Sequence, residues 1–237
     1  MKIKTILTLL LISLIGCNQN SQTSYKKDSI DSVISSYDNT SAISIIEDSI
    51  FHIFEPQELK SFQYNGFLSH HECIIDGHKF LFGVYEDSGT AEKSKKYVGA
   101  QMIVLDKSNS IIFSSQGAGD SRDFFPTFYM LNKTSPIFIL IDLGDECGAW
   151  GQAVYKMDKS GVDSVGYLDV ASIPEDINAD YYSYGIDVSI RKSIDGYFFE
   201  FIKDTMFLNP GGINQKVVKC RDVRYRYYNS KFVLLQK

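Results

Sequence analysis

The chain has 237 residues and a formal charge of −5 at pH 7, with 44% hydrophobic, 14% aromatic and 22% charged residues. This composition is typical of a folded chain rather than a disordered one, and the length suffices for one domain with a sizeable core. The acidic charge argues against a nucleic-acid partner and against electrostatic docking on anionic lipid.

The amino-terminal residues have the pattern of an export signal. Lys2 and Lys4 precede the apolar run ILTLLLISLI at residues 6–15. At about 1.5 Å per residue, this run covers only about half of a bilayer's hydrocarbon core. We therefore expect a cleaved signal peptide and no membrane-spanning helix here.

The sequence LIGC at residues 14–17 resembles the lipobox of bacterial lipoproteins, whose cysteine is lipidated before the leader is removed. The resemblance implies a signal peptide at residues 1–16, a lipid anchor on Cys17 and a mature formal charge of −7. Because each buried CH₂ of an acyl chain contributes about 0.8 kcal/mol, two or three chains hold a protein firmly on a membrane. The resemblance implies a place in the cell envelope. Asn18 favours the outer membrane, with the domain in the periplasm or at the cell surface.

A polar tether follows the lipidated cysteine. Residues 17–41 contain few large apolar groups before residue 30, as is typical of a linker. Apolar side chains at residues 30, 33, 34 and 37 then share one face of a possible short helix. We expect residues 42–237 to form a single β-rich domain.

Five segments of this domain share one pattern, in which an apolar run, a short turn and a second apolar run follow one another. Their turns contain Asp-Gly, Asn-Ser or Ser-Gly, which accept the positive φ of tight hairpins. We therefore predict β-hairpins at residues 73–85, 102–113, 153–168, 188–201 and 223–235.

The order of these hairpins predicts an all-β antiparallel meander. Residues 137–143 (IFILIDL) scarcely alternate and indicate a fully buried central strand. The turns recur about every 30 to 50 residues, which favours an irregular, propeller-like arrangement. A two-sheet β-sandwich is the alternative.

Three cysteines remain besides Cys17: Cys73, Cys147 and Cys220. An oxidising envelope compartment allows at most one disulfide among them, and the sequence does not choose the pairing. No C-x-x-C spacing is present, so a cysteine-based metal site is not expected.

The most site-like stretch is DLGDECGAWG at residues 142–151. Asp142, Asp145 and Glu146 supply oxygen ligands of the kind that calcium prefers, but their spacing matches no calcium loop. The alternative is a tight turn allowed by the glycines, with Trp150 in the core. We interpret Asp142, Asp145, Glu146 and Trp150 as candidate binding residues and predict no bound metal or cofactor.

A second candidate loop is SSQGAGDSRD at residues 114–123. Its glycines allow backbone amides to approach an anion, with Arg122 as a charged clamp. The segment lacks the G-K-[ST] of a nucleotide P-loop. A plain surface loop is the alternative.

Two further stretches have functional and packing interpretations. His70, His71, Glu72, Cys73 and His78 supply metal-ligand types, but strand alternation places neighbouring ligands on opposite faces. Residues 180–185 (DYYSYG) concentrate tyrosines, which suit either a binding surface or ordinary strand packing.

No hydrolase motif appears, and no catalytic residues are predicted. We therefore expect a non-enzymatic, lipid-anchored binding or accessory module that contacts an envelope protein or glycan. Alternatives are an inhibitor or immunity protein directed against a basic toxin or hydrolase, and an envelope hydrolase.

Overall fold

The structure is a computed structural model that describes residues 49–60, 62–85, 99–118, 124–145, 148–174 and 185–237. These residues belong to one compact unit, Ile45–Lys237. The predicted leader, the lipobox, the tether and the possible short helix all lie outside the described residues.

The described residues are almost entirely strands and the turns between them. Within these ranges there is no α-helix, and a short 3-10 turn occurs at Cys220–Asp222. The prediction of an all-β fold is confirmed. The strands are β1 (Ser49–Ile50), β2 (His52–Ile53), β3 (Gln57–Glu58), β4 (Phe67–Ile75), β5 (His78–Tyr85), β6 (Gln101–Leu105), β7 (Ile111–Ser114), β8 (Pro126–Met130), β9 (Ile137–Asp145), β10 (Gly148–Asp158), β11 (Gly161–Leu168), β12 (Val170–Ser172), β13 (Val188–Ser193), β14 (Gly196–Phe201), β15 (Thr205–Leu208), β16 (Lys216–Lys219), β17 (Val223–Tyr228) and β18 (Lys231–Gln236).

The strands form four antiparallel sheets. The amino-terminal sheet has the order β3-β4-β5-β6-β7, and the central sheet has the order β11-β10-β9-β8-β2. The carboxy-terminal sheet is β1-β13-β14-β17-β18, and a small sheet is β12-β15-β16. All five predicted hairpins are confirmed as paired neighbours, namely β4 with β5, β6 with β7, β10 with β11, β13 with β14, and β17 with β18.

Two of these hairpins show directly why their turn residues are suited to their positions. Asp76 and Gly77 have φ of 49° and 78°, and Asn229 and Ser230 have φ of 49° and 58°. Two successive positive φ angles give the tight turn whose twist matches that of the flanking strands. The local sequence therefore sets the strand register at both places.

Strand β9 supports two hydrophobic cores, one on each face. Phe138 and Leu140 pack in a core shared with the carboxy-terminal sheet, whereas Ile139 and Ile141 pack in a core shared with the amino-terminal sheet. All four side chains are almost fully buried. The prediction of a buried central strand is confirmed, and burial on both faces explains why the sequence does not alternate.

The central sheet accordingly lies between the other two large sheets. Face-to-face packing of such sheets is common to propeller blades and to sandwiches. The choice between those two arrangements stays a prediction.

A connecting segment, residues 49–58, crosses the edges of all three large sheets. Its strands β1, β2 and β3 pair in turn with β13, β8 and β4. Between β1 and β2, the Phe51 ring is 4% exposed and makes edge contacts with Phe138 at 5.4 Å and Tyr197 at 5.9 Å. The segment thus ties the sheets together at one side. Among the described residues, no helix has the length and apolar character that crossing a bilayer requires.

We expect Phe51→Ala to lower the free energy of unfolding by about 3 kcal/mol or more, because it removes a buried ring from the largest core. Urea denaturation followed by circular dichroism would measure the change. Ile53→Ala is the matched control in the same segment: Ile53 is 61% exposed, so its truncation should change stability by less than about 0.5 kcal/mol. Equal effects of the two substitutions would contradict the role given to Phe51.

Candidate functional site

The predicted site at residues 142–151 is part of a hairpin instead of a loop. Strand β9 continues to Asp145 and β10 begins at Gly148, and these two residues are cross-strand partners. The glycines allow close strand approach: a Cβ on Gly144 would lie 2.7 Å from the carbonyl oxygen of Gly148, and one on Gly151 would lie 2.2 Å from that of Leu168. Glycines that suggested a turn are therefore strand residues.

The predicted binding residues are only partly represented in the described structure. Asp142 and Trp150 are both half-buried, so Trp150 does not fill the core. Arg122, Glu146 and the side chain of Asp145 lie outside the description.

Asp142 takes part in an internal polar network. Gln152 Nε2 donates to Asp142 Oδ1 at 2.7 Å and to the carbonyl oxygen of Ile186 at 3.2 Å. The Asp142 carboxylate also lies against Gly185, where a Cβ would come within 2.1 Å of Oδ1. Ser172 Oγ donates to the carbonyl oxygen of Gly185 at 3.1 Å. These contacts fix the segment before β13 to the β9–β10 hairpin.

The carboxylate of Asp142 also influences the pKa of the Tyr129 hydroxyl. Burial raises the pKa of this hydroxyl to about 12, and the carboxylates of Asp187 and Asp142 act in the same direction, against a hydrogen bond with the backbone of Val188. The hydrogen bonds of Gln152 and Ser172, which join three separate segments, give the surroundings of Asp142 the features of a packing element.

The second predicted loop is partly bonded to a strand. The Ser115 backbone N–H donates to the carbonyl oxygen of Met102 at 2.9 Å, and the Ala118 N–H donates to that of Ala100 at 3.0 Å. Residues 119–123 lie outside the description. Just beyond them, the carbonyl oxygen of Phe125 accepts a hydrogen bond from the Asp142 N–H at 3.2 Å, so the flanks of the two predicted segments do approach each other.

The histidine stretch is split between different surroundings. The His71 ring lies 5.6 Å from that of Phe82 and 6.3 Å from that of Phe128, and burial lowers its pKa. His78 begins β5 opposite Ile75. In the ranges that the structure describes, no three His, Cys, Asp or Glu side chains come together as a metal site would require.

Two of the cysteines are buried free thiols. Cys73 and Cys220 are 1% and 2% exposed and lie in different cores. Burial raises the pKa of Cys73 to about 12 and also raises that of Cys220. Both thiols are therefore protonated and unreactive at neutral pH. Cys147 lies outside the described residues.

The outward face of the carboxy-terminal sheet carries a group of cations that the sequence analysis missed. One row of directly paired residues crosses all five strands, from Ile50 through Arg191, Phe198 and Arg226 to Val233. Directly paired residues share a face of the sheet, so these five side chains point the same way. We call this surface, together with Arg224, Tyr228 and Lys231, the basic face.

Phe198 forms the floor of the basic face. The Arg224 guanidinium lies 4.8 Å from the centre of its ring and that of Arg191 lies 6.0 Å away. Arg191 also pairs with Glu200 at 3.0 Å. Stacking on the aromatic ring holds the Arg224 guanidinium in place without using its N–H donors, whereas Arg191 is held by Glu200.

Three cations on this face lack a carboxylate partner. Among the described residues, no Asp or Glu lies within 4.0 Å of Arg224, Arg226 or Lys231. The Nε of Arg226 is buried without a hydrogen-bond partner. A shallow depression of about 370 Å³ lies beside them, lined by Arg226, Tyr228, Asn229, Lys231 and Val233. The geometry is that of a surface able to bind an anion.

Two signals in the sequence could have revealed this face. Residues 185–237 contain ten basic and five acidic residues, a formal charge of +5 against −10 for residues 1–184. The alternating run VRYRYY at residues 223–228 also places both arginines on one side of a strand. The total formal charge of −5 does not show this difference between the two parts of the sequence.

Comparisons with protein-family models, with curated proteins and with solved structures found no match. The structure defines an all-β protein of stacked antiparallel sheets. Its most distinctive described surface is the basic face.

We expect Gly185→Ala to destabilise the protein by about 1–3 kcal/mol, because its new methyl group would overlap the Asp142 carboxylate. In an Asp142→Ala background the same change should cost less, with a coupling energy of about 1 kcal/mol or more. Urea denaturation of the four variants in this cycle would measure it. Gly212→Ala, at an exposed position whose nearest outside contact is 3.3 Å, serves as the control. Additive effects of Asp142→Ala and Gly185→Ala would show that the network does not couple these segments.

Proposed function

We propose that this protein is a lipid-anchored, non-enzymatic binding or accessory module of the cell envelope. The leader and the lipobox ending at Cys17 support the anchor, and the acyl chains would hold the domain on a membrane. The outer membrane is the proposed site. The domain would face an aqueous envelope compartment.

One observation carries the binding part of the proposal: Arg224, Arg226 and Lys231 share one face and have no carboxylate partner among the residues that the structure describes. Lys231 is exposed and Arg224 and Arg226 are half-buried, so an anionic partner could reach this group from the solvent side. Arginine is well suited to this task because its planar guanidinium binds carboxylate or phosphate through two parallel hydrogen bonds. The partner we propose is therefore an acidic protein or an anionic group of the envelope.

Other features of the site agree with binding more than with catalysis. The described candidate groups each have different partners: His71 packs on aromatic rings, His78 begins a hairpin strand, and Asp142 is bonded to Gln152. A hydrolase needs its acid, base and nucleophile within hydrogen-bond reach of one another. The basic face also favours an acidic target over the basic one expected of an acidic inhibitor.

The anchor is tested by metabolic labelling with an alkyne analogue of palmitate in the producing bacterium. We expect label on the wild-type protein and none on Cys17→Ala, because only the thiol at that position would receive lipid. Cys220→Ala is a matched control and should stay labelled. Absence of label from the wild type would contradict the anchor while leaving the binding surface untested by this experiment.

The binding surface is tested by affinity capture from solubilised envelope with residues 18–237 as bait. The triple variant Arg224→Gln, Arg226→Gln, Lys231→Gln should lose the components that the wild type enriches. The control variant Lys203→Gln, Lys216→Gln, Lys219→Gln removes the same charge from exposed positions outside the basic face and should retain them. Capture of one set by both variants would exclude the basic face as the binding surface.

A further inference from the structure

We propose that the basic face rests on the membrane that holds the anchor, with its arginines against the phosphates of anionic lipid headgroups. This inference rests on the proposed lipid anchor and names the partner of the same face. It differs from the prediction made from total charge, which argued against electrostatic docking on lipid.

The chain that leads from the proposed anchor enters the described domain beside the basic face. The segment that follows Cys17 reaches the described domain at β1, where Ser49 pairs with Lys192 and Ile50 pairs with Arg191. β1 is an edge strand of the carboxy-terminal sheet. The tether therefore joins the domain at the border of the basic face, which favours contact between that face and the anchoring bilayer over contact with a distant partner.

The charge distribution favours the same orientation. Charges act over about 8 Å at physiological ionic strength, so an anionic surface responds to the residues that face it and not to the total charge of the protein. The basic face carries Arg191, Arg224, Arg226 and Lys231 together with Glu200, a local formal charge of +3, whereas residues 1–184 carry −10. An anionic bilayer would attract the basic face and repel the acidic residues of 1–184, which favours one orientation of the domain.

Apolar and aromatic side chains border the cations. Ile50 is 53% exposed on the row of paired residues, and Tyr228 is 47% exposed opposite Lys231. Tyrosine is favoured at the interface between water and lipid, and arginine extends its charged end to the phosphates. An exposed apolar side chain beside cations suits a lipid surface better than an acidic peptide, which would leave Ile50 in water.

The test is flotation of residues 18–237, without lipid on the protein, with two kinds of vesicle. One kind is phosphatidylcholine alone, and the other contains about one third phosphatidylglycerol. We expect binding to the anionic vesicles at least tenfold stronger than to the neutral ones, weakening as salt is raised. Residues 18–237 retain the whole compact unit Ile45–Lys237.

Variants locate the contact. Each cation near an anionic surface strengthens binding by about fivefold. The triple variant Arg224→Gln, Arg226→Gln, Lys231→Gln should therefore weaken binding to anionic vesicles by at least tenfold. Lys203→Gln, Lys216→Gln, Lys219→Gln should weaken it by less than threefold. Tyr228→Ala should weaken binding severalfold with little change in its salt dependence, a result that a purely electrostatic contact would not give. Circular dichroism checks that each variant is folded.

A parallel measurement with polyglutamate in place of vesicles separates the outcomes. Binding to polyglutamate without binding to vesicles, lost in the first triple variant, would overturn the membrane inference and leave the basic face as a site for acidic proteins. Binding to neither would overturn both the inference and the proposed binding surface. Equal vesicle binding by the two triple variants would overturn the assignment to this face.

Discussion

Burial of strand β9 on both faces is the constraint on which the rest of the domain depends. Phe138 lies edge-on to Phe51, Tyr197 and Phe199 at 5.4, 4.9 and 5.4 Å, while Ile139 faces the opposite core. A slip of one residue would exchange the two faces. Because both faces are apolar, the hydrophobic pattern alone does not exclude such a slip. The fit of the Phe138 ring among three other rings therefore contributes to the register.

The position of the connecting segment follows from this packing. Phe51 seats its ring on Phe138 and Tyr197, and its backbone N–H donates to the carbonyl oxygen of Ile190 at 2.8 Å. With Phe51 turned inward, alternation turns its neighbour Ile50 outward beside Arg191. The same contact that fills the core thus places the incoming chain at the border of the basic face. Core packing and the orientation of the proposed binding surface are coupled at this point.

Features encoded by local sequence could be predicted, and features encoded by long-range pairing could not. The hairpins were predictable because residues such as Asp76 and Gly77 impose their turn within a few positions. Strand β9 was predictable because its lack of alternation indicates burial on both faces. The glycines of residues 142–151 suggested a loop, but glycine is common both in turns and where strands approach closely. Gly144 and Gly151 lie at such close approaches.

The candidate site was harder to predict for a related reason. Asp142 looked like a ligand because carboxylates and glycines cluster near it, yet its partners Gln152 and Gly185 come from β10 and from the segment before β13. The row that forms the basic face begins with Ile50 on β1 and continues on strands far along the chain. No local sequence pattern indicates that these residues are neighbours in the sheet. Only the alternation of Arg224 and Arg226, read together with the positive charge of residues 185–237, points toward that face.

Internal contacts account for some cations of the basic face and leave others without a partner among the described residues. Arg191 pairs with Glu200, and the Arg224 guanidinium stacks on Phe198. Arg224 and Arg226 lie two positions apart on one strand, about 7 Å along it, and at that distance their unscreened repulsion in water is about 0.6 kcal/mol. The Nε of Arg226 has no hydrogen-bond partner in the part of the chain that the structure describes. An anionic surface against this face would offset that repulsion, and under the proposed lipid anchor the nearest such surface is the membrane.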